Sequence, residues 1–509
     1  MVKVFLKHGR DESLRRFHPW VFSGAVAQVQ GSPAEGDIVG VYSAEGQFLA
    51  SGHWQVGSIA VRILSFDADP TAPDFWVNSI ARALEVRKAV GLYSPLPHLA
   101  DDPASGPDRD SDYPAIPLEG AQGVKAERSM SSQTTCFRLV HGEGDGLPGL
   151  IIDWYDGVCV MQAHSVGMFR AKMQICEALR TVFGDRLKAV YDKSSGTAPF
   201  KAGLDLVDGY LWRAEGFTAS EAVVYENGRK FLVNWEEGQK TGFFLDQRDN
   251  RALVGKYAAG RRVLNLFCYT GGFSIYALTA GAAQVDSVDS SAKAMSLVER
   301  NIALNSASLP GSSPHQPSGD AGPLPQPSAA GPSLLRSRGW LRAGEGTAAS
   351  ASQIAVGSSS GPDRDSDYPA IPLEGAQGVK EENSQKLCSN FCEDAIEFLK
   401  KIPEGIYDLM IVDPPAFAKH RGALKNALRA YQRLNAAAIA KVAPGGLVFT
   451  FSCSQVVDKI TFANTVFSAA AQTGRSVRIL DRLCQGADHP VSIYHPEGEY
   501  LKGLLLYVE

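Results

Sequence analysis

The chain has 509 residues, 44% of them hydrophobic, and a formal net charge of −5. This size and apolar content suit two or three folded domains. The charge excludes a globally basic nucleic-acid-binding protein, so any such contact must come from a local patch. No apolar run is long enough to cross a membrane or to form a signal-peptide core, so we expect a cytoplasmic protein. The eight cysteines lack disulfide or zinc spacing.

Residues 1–72 alternate apolar and polar side chains in short runs that are separated by glycine and aspartate turns. Examples are VAQVQ, DIVGVYS and SIAVRILSF. This pattern predicts a small all-β barrel. Its basic start offers Lys3, Arg15 and Arg16 as contacts for nucleic acid, although a solvated surface edge explains these residues equally well.

Residues 73–215 are predicted to form an α+β middle domain. The stretch DFWVNSIARALEVRKAVGL has helical spacing, and CFRLVHGEGDGLPGLIIDWYDGVCVMQ indicates strands joined by tight turns. A helix at about 169–183 and the strand KAVYDK follow. The GEGDGLPG turn lacks the Lys-Ser/Thr pair of a nucleotide-binding loop and is interpreted as structural.

Two segments, about 99–134 and about 306–385, differ from the rest in composition. Both contain the same stretch, GPDRDSDYPAIPLEGAQGVK, at Gly106–Lys125 and again at Gly361–Lys380. Two copies without a fixed period do not make a stacked repeat, and neither segment carries enough apolar surface to fold alone. We interpret both as loop insertions, derived from one element that entered twice, without a role in the functional site.

Residues 216–509 alternate buried strands with amphipathic helices. This rhythm predicts a doubly wound, Rossmann-like α/β domain whose mostly parallel sheet is covered on both faces. The strand that follows the second insertion is expected at the edge of the sheet, where a long excursion does not cross the core. In such a sheet, ligands bind at the carboxyl ends of the strands, near the point where the strand order reverses.

The first two strand ends suggest a nucleoside-containing ligand. After VLNLF, Gly271 and Gly272 let the backbone approach a ligand closely. Asp289 ends the next strand about twenty residues later, where a carboxylate can bind both ribose hydroxyls, a spacing that also suits a dinucleotide enzyme. Asp394 follows the third strand and is placed beside an adenine amino group.

The fourth and fifth strand ends suggest chemistry on a planar base. Asp413, Pro414 and Pro415 form a stiff segment that can hold a carboxylate over a base, with Phe417 available for stacking. Cys453 ends the fifth strand and is predicted to face the same cleft. A thiolate there can attack C6 of a pyrimidine and so make C5 a nucleophile toward a methyl donor.

Other cysteines and histidines are given simpler interpretations. A cysteine after a buried strand is usually a small core residue, and Cys268 is assigned such a packing role. His489 and His495 have no acidic or cysteine partner at metal spacing in the sequence, so they are expected to shape the wall of the cleft. No metal is predicted.

Eight stretches carry a family resemblance. Six lie in the third domain: KTGFFLDQRDNR, NLFCYTGGFS, VDSVDSS, DPPAF, TFSCS and ADHPVSIYHPEGEYLKG. HPWVFSGAV lies in the first domain and GEGDGLPGL in the second. Together they resemble the bacterial 23S rRNA (cytosine-C5) methyltransferases of the large-subunit methyltransferase I type. The resemblance implies an N-terminal PUA domain, a middle α+β domain and a C-terminal S-adenosylmethionine-dependent domain. It implies 23S rRNA, or the assembling large ribosomal subunit, as the partner.

The resemblance also implies roles for individual residues. Cys453 is the nucleophile, and Asp413 orients the base. From the residues themselves, Pro414, Pro415 and Phe417 are assigned to the base, and the basic residues Lys3, Arg15 and Arg16 to the surrounding RNA. The residues assigned to the cofactor are Asp246, Gln247, Arg248, Tyr269, Thr270, Gly271, Gly272, Phe273, Asp289 and Asp394.

Two other functions stay open from the sequence. The first is methylation of a guanine or adenine nitrogen in rRNA, in which the Asp-Pro-Pro segment acts without a nucleophilic cysteine. The second is a non-catalytic RNA-binding or ribosome-assembly factor. The sequence also leaves open the nucleotide modified, the base that removes the C5 proton, and the oligomeric state, a homodimer included.

Overall fold

The structure is a computed structural model that describes residues 1–93, 134–199, 203–309, 387–418 and 420–509. Both copies of the repeated stretch, and nearly all of the two predicted insertions, lie outside these ranges. Among the described residues, no helix is long and apolar enough to cross a lipid bilayer.

The first domain is a six-stranded sheet wrapped around a single core. Its strands run in the order β2-β6-β5-β4-β1-β3, and all neighbours are antiparallel except β1 and β4. The two edge strands are joined by one turn, Ser23–Ala25, so the sheet curls back on itself. The elements are β1 (Val2–Leu6), α1 (Glu12–Arg15), β2 (Trp20–Phe22), β3 (Val26–Gln30), β4 (Ile38–Tyr42), β5 (Phe48–Trp54) and β6 (Ile59–Ser65).

Apolar and polar residues alternate along these strands, so that apolar side chains face the core and polar ones face solvent. Val4, Val41 and Val61 are buried in the common core, while Lys3 stays at the surface and lies over the ring of Tyr42. A period of two places successive side chains on opposite faces of a strand. The predicted small all-β domain is confirmed.

The middle domain is a five-stranded sheet in the order β11-β10-β9-β8-β7. Its elements are α2 (Phe75–Ala89), β7 (Cys136–His141), β8 (Leu150–Tyr155), β9 (Val158–Ala163), α3 (Val166–Arg170), α4 (Lys172–Phe183), β10 (Ala189–Asp192) and β11 (Gly209–Arg213). One face of the sheet packs against α2 and α4 through residues such as Ile80 and Leu179. The predicted helix at 169–183 is preceded by an extra turn, because Ser165 accepts a hydrogen bond from Met168 N and caps an earlier start.

A hairpin connects the middle domain to the third. It consists of β12 (Glu221–Glu226) and β13 (Arg229–Asn234), joined at Asn227 and Gly228, which both have positive φ, as a tight two-residue hairpin turn requires. Its apolar face packs between the second face of the middle sheet and helix α6 (Gly272–Thr279). The predicted boundaries at 72/73 and 215/216 fall between β6 and α2 and between β11 and β12.

The third domain has a seven-stranded sheet in the order β16-β15-β14-β17-β18-β20-β19. Strands β14 to β18 are parallel, and β20 runs antiparallel to both of its neighbours. Besides α6, the elements are α5 (Arg248–Ala258), β14 (Arg262–Leu266), β15 (Gln284–Asp289), α7 (Ala292–Leu304), β16 (Cys388–Cys392), α8 (Ala395–Lys401), β17 (Tyr407–Val412), α9 (Leu424–Lys441), β18 (Val442–Ser452), α10 (Lys459–Thr473), β19 (Val477–Leu483) and β20 (Lys502–Val508).

This strand order fixes the position of the site. From β14 the chain moves outward to β15 and β16, then returns to the other side of β14 with β17 and β18. The reversal lies between β14 and β17, where a crevice opens at the carboxyl ends of the strands. β16, which follows the second predicted insertion, is an edge strand as predicted. The doubly wound fold class is confirmed.

Candidate active site

A cavity of about 280 Å³ lies at the carboxyl ends of β14, β15, β17 and β18. Residues assigned from the sequence to a cofactor, to the base and to the nucleophile share its wall, since the ends of neighbouring parallel strands meet at one edge of the sheet. These lining residues are Asp246, Gln247, Tyr269, Thr270, Gly272, Phe273, Asp289, Asp413, Pro414, Pro415 and Cys453.

The loop after β14 is sharply bent. Phe267, Tyr269 and Gly271 all have positive φ, a conformation that is costly for the two aromatic residues and that is concentrated at functional sites. A Cβ on Gly271 would lie 3.1 Å from the side chain of Val298, and one on Gly272 would lie 3.0 Å from Arg251. Both glycines therefore let the loop pack closely on its own scaffold, with Gly271 behind the cavity wall.

Asp289 joins two strand ends. Its Oδ2 accepts a hydrogen bond from Tyr269 N and its Oδ1 accepts one from Ser291 N, each at 2.9 Å. These bonds leave further lone pairs on the carboxylate, which borders the cavity. The carboxylate is thus fixed by backbone donors while still able to accept from a ligand.

Residues 239–247 form one side of the cavity. The hydroxyl of Tyr269 accepts a hydrogen bond from Gln239 N at 2.9 Å, and its ring meets the ring of Phe244 edge-on at 5.1 Å. Arg251 donates from Nη1 to the carbonyl of Phe244 at 2.9 Å and holds Glu226 through two further hydrogen bonds. The segment over the cavity is therefore tied both to the loop after β14 and to the hairpin.

Two carboxyl groups in the cavity have opposite pKa shifts. Burial and the nearby charge of Asp246 raise the pKa of Asp413 to about 7, against a hydrogen bond that Gln247 Nε2 donates to Oδ2 at 3.0 Å. Burial alone would also raise the pKa of Asp246, but Lys240, His489 and the Tyr500 hydroxyl, which donates at 2.6 Å, bring it below its ordinary value. Asp413 therefore titrates near neutral pH while Asp246 stays ionised.

Cys453 sits on a rigid strand end. Ser452 Oγ donates to the Tyr431 hydroxyl at 3.0 Å, and Ser454 Oγ donates to the carbonyl of Ala418 at 2.6 Å, so both flanking residues are anchored. Burial, followed by the charge of Asp413, raises the pKa of the thiol, and Lys240 opposes the shift. The thiol is held still at the wall of the cavity and is protonated at neutral pH.

Three residues assigned from the sequence have other partners and lie outside the cavity wall. Arg248 is buried and donates two hydrogen bonds to Asp488, at 2.9 and 2.8 Å. Asp394 is exposed and caps α8 by accepting from the first backbone N–H groups of that helix. Phe417 packs on the ring of Tyr431, with centroids 4.7 Å apart.

The basic residues assigned to RNA lie on the first domain. Arg15 pairs with Asp11 at 2.7 Å and Arg16 pairs with Glu12, in both cases one helical turn away. Each pair neutralises charge within α1, so these two arginines add little net positive potential to the surface.

The sequence interpretation missed several lining residues. Lys240 lies in the cavity wall with its ammonium 4.6 Å from the centre of the Phe244 ring. Ser290, Ser291 and Leu501 also line the cavity. All four fall within stretches that carry the family resemblance, so those motifs could have identified them as site residues. Cys268 borders the cavity but is buried against Met295 and Val298.

Comparisons with known proteins agree with this architecture. A family profile described as a PUA-like domain matches residues 4–66, and one described as an S-adenosylmethionine-dependent methyltransferase matches residues 137–313. The crystal structure of SMU.776 complexed with SAH has the same fold over the full length of both chains, with a TM-score of 0.67 and 18% identity. Fold and cavity thus define an S-adenosylmethionine-dependent methyltransferase that carries a PUA-like domain.

Curated relatives specify the family. Ribosomal RNA large subunit methyltransferase I of Aeromonas hydrophila is 32% identical over 507 residues, which cover 99% of this chain and 98% of the relative. The enzyme of the same name from Aeromonas salmonicida is 32% identical over 508 residues, covering 99% of each. The chain belongs to the ribosomal RNA large subunit methyltransferase I family. The predicted resemblance, enzyme class and cofactor are confirmed.

Proposed function

We propose that this protein methylates C5 of a cytosine in 23S rRNA, using S-adenosylmethionine and a covalent bond between Cys453 Sγ and C6 of the base. The observation that carries the proposal is that Cys453 and Asp413 share one cavity with Asp289 and the bent loop after β14. A nucleophile, an acid and a nucleoside-binding wall thus meet at one strand edge.

The described residues fit the cofactor. Asp289 offers a fixed carboxylate for the ribose hydroxyls, and the aromatic residues Phe244 and Phe267 supply an apolar wall. The cofactor supplies an activated methyl group. We also infer that Asp246 and Tyr269 border its binding site, whereas Arg248 and Asp394 act on the site only through the scaffold.

The residues of the chain account for activation of the base. Sγ of Cys453 bonds to C6 as a thiolate, while the neutral carboxyl of Asp413 donates a hydrogen bond to N3 and draws electron density away from C6. C5 then carries the electron pair that takes the methyl group. A base then takes the C5 proton, and breakage of the Sγ–C6 bond releases the Cys453 thiolate and restores the aromatic ring.

The substrate must also be presented as an exposed base. C5 and C6 are unreachable within a stack, so the target must be single-stranded or flipped out. We propose that the PUA-like domain holds the surrounding RNA. We propose that the enzyme acts in the cytoplasm on 23S rRNA or on the assembling large subunit. Light scattering on the purified chain tests the homodimer, which requires twice the mass of one chain.

A trapping experiment tests the function. RNA containing 5-fluorocytidine at the target cannot lose its C5 substituent as a proton, so the Sγ–C6 bond should persist and give a protein–RNA band on a denaturing gel. Wild type and the control Cys484→Ala, which alters an exposed cysteine, should form the band, and Cys453→Ala should not. Mass spectrometry of the nucleosides identifies the product, and methylguanine or methyladenine would establish N-methylation instead.

A further inference from the structure

Three potential metal ligands meet where the first domain touches the segment before β20. His18 lies just before β2, and His495 and Glu497 lie in the loop between β19 and β20. One ligand atom from each of the three residues lies within 4.8 Å of the others. The site is separate from the cavity described above, since none of the three residues lines it.

His495 is a buried histidine whose ring nitrogens are available to bind an ion. Its side chain is 3% exposed, and neither Nδ1 nor Nε2 has a hydrogen-bond partner among the described residues. A buried polar group without a partner is costly, and buried polar atoms in native structures nearly always have one. A bound cation satisfies a ring nitrogen directly.

The backbone of Trp20 holds the ring of His18 through Nδ1. Its Nδ1 lies 3.3 Å from the carbonyl oxygen of Trp20. Trp20 N also lies 3.2 Å from Nδ1, so Nδ1 accepts from this N–H in one tautomer and donates to the carbonyl in the other. Zinc on Nε2 requires the second tautomer, in which a backbone carbonyl is the usual outer partner of a ligating histidine. The rings of His18 and His495 are 5.5 Å apart, at an angle of 63°.

Glu497 completes the set from the surface. Its Oε2 lies 3.9 Å from Nε2 of His495, and its side chain is largely exposed. Ligand atoms around a tetrahedral ion with bonds of about 2.0–2.2 Å are separated by roughly 3.3–3.6 Å. A rotamer change of Glu497 shortens the 3.9 Å distance to this range, because its side chain is exposed and free to move.

We propose that His18, His495 and Glu497 bind one zinc ion, with water in the fourth position. Two imidazole nitrogens and one carboxylate oxygen form a ligand set that suits this ion. Glu143 is outside this set of ligand atoms, and its Oε1 accepts from Trp20 Nε1 at 2.9 Å and from Arg62 at 3.1 Å.

The ion would join two parts of the enzyme. The loop that carries His495 and Glu497 continues into Tyr500 and Leu501, which contact Asp246 and the active-site cavity. His18 belongs to the PUA-like domain. Zinc at this junction would therefore stabilise the first domain against the loop that supports the active site, without taking part in methyl transfer.

The test uses the full chain, stripped with a chelator and then titrated with zinc. Calorimetry and elemental analysis should show one ion bound in wild type and in His8→Gln, a control histidine on the surface of the same domain. His18→Gln and Glu497→Gln should each weaken binding at least tenfold. The zinc-dependent rise in melting temperature should be lost with them.

Cobalt separates this site from zinc bound to free thiols. Substitution with Co²⁺ should give the visible bands of a nitrogen and oxygen ligand set, without the near-ultraviolet charge-transfer band that thiolate ligands produce. Glu497→Gln changes an exposed residue, so it reports on the site even if His18→Gln does not fold. The proposal is overturned if wild type binds no zinc, or if binding is unchanged in Glu497→Gln, or if the thiolate band appears.

Discussion

Gln247 donates a hydrogen bond from Nε2 to Oδ2 of Asp413 at 3.0 Å. Its own amide oxygen accepts from Asn250 Nδ2 at 2.6 Å, which fixes which end of the amide faces Asp413. Motif resemblance assigns Gln247 to the cofactor, yet the structure gives it a contact with the residue proposed to activate the base. Gln247 lowers the pKa of Asp413, and Asn250 fixes Gln247 in the orientation that does so.

Replacing Gln247 tests this positioning role. Gln247→Ala should lower kcat/KM about tenfold, because the carboxyl of Asp413 loses the hydrogen bond that holds it in position. It should also move the Asp413 titration to higher pH, because the group that favours the carboxylate is gone. We would measure the pH profile alongside calorimetric S-adenosylmethionine affinity. Weaker S-adenosylmethionine binding with an unchanged pH profile would show that Gln247 contacts the cofactor instead.

The pH profile of the wild type follows from the paired shifts of Asp413 and Cys453. In the reacting form, Cys453 is a thiolate and Asp413 is a neutral carboxyl, so the two groups together carry one proton. Activity should therefore rise through pH about 7, where the pair loses its first proton, and fall at alkaline pH, where it loses the second.

Asp413→Asn distinguishes the rising limb of the pH profile from the falling one. The amide still donates to N3 but no longer titrates, so activity should depend on thiol ionisation alone and rise only at alkaline pH. We expect no fall at higher pH within the stable range. A profile that still rises at pH 7 in this variant would assign that limb to another group.

Lys240 is expected to act through its charge. It lowers the pKa values of Asp413, Asp246 and Cys453, and its side chain lies in the cavity wall. Lys240→Met should raise the pKa of the thiol and reduce kcat by about tenfold, with an alkaline shift of the profile. Lys256→Met, which changes an exposed lysine on α5, is the matched control. A rise in KM for RNA with an unchanged profile would instead indicate a phosphate contact.

The buried pair of Arg248 and Asp488 should govern stability. Asp488 also accepts from Arg138 N at 3.0 Å, and its carbonyl accepts from Arg87 at 2.7 Å, so it links the middle and third domains. Arg248→Ala leaves a buried carboxylate without its ion-pair partner and should cost about 3–5 kcal/mol in denaturant unfolding. Arg15→Ala, which breaks an exposed pair, should cost less than about 1 kcal/mol.

The same pair predicts a loss of stability in acid. Burial would raise the pKa of Asp488, but Arg248 and His489 hold it well below its ordinary value. A depressed folded-state pKa contributes stability that is complete above the unfolded value of about 4 and is lost as pH falls below it. Unfolding measured between pH 7 and pH 3 should show this loss in wild type and a smaller one in Arg248→Ala.

Deletion of residues 311–385 tests the interpretation of the second insertion. The deleted segment precedes β16, an edge strand that pairs only with β15 among the described strands. A short glycine-serine linker in its place should leave the melting temperature and methylation within about twofold of wild type, because loop length affects stability weakly. Loss of methylation with a retained fold would show that the segment has acquired a role.

The sequence by itself determined the elements and the chemistry at their ends. Period-two alternation predicted the small all-β first domain, and the buried runs of the third domain indicated a parallel sheet whose strand ends carry Asp289, Asp413 and Cys453. These features are local: each depends on residues adjacent in the chain and on the rule that parallel strands align their carboxyl ends. Burial patterns and strand-end motifs can therefore be predicted from the sequence alone.

Only the tertiary structure decided which polar groups meet. It paired Arg248 with Asp488 and Gln247 with Asp413, and it brought His18 to His495 and Glu497. The partners in each pair or cluster come from segments far apart in the chain, so no local period or spacing marks them. Their meeting depends on strand order and on how loops pack, and the resulting desolvation and charge set the pKa values on which the proposed chemistry depends.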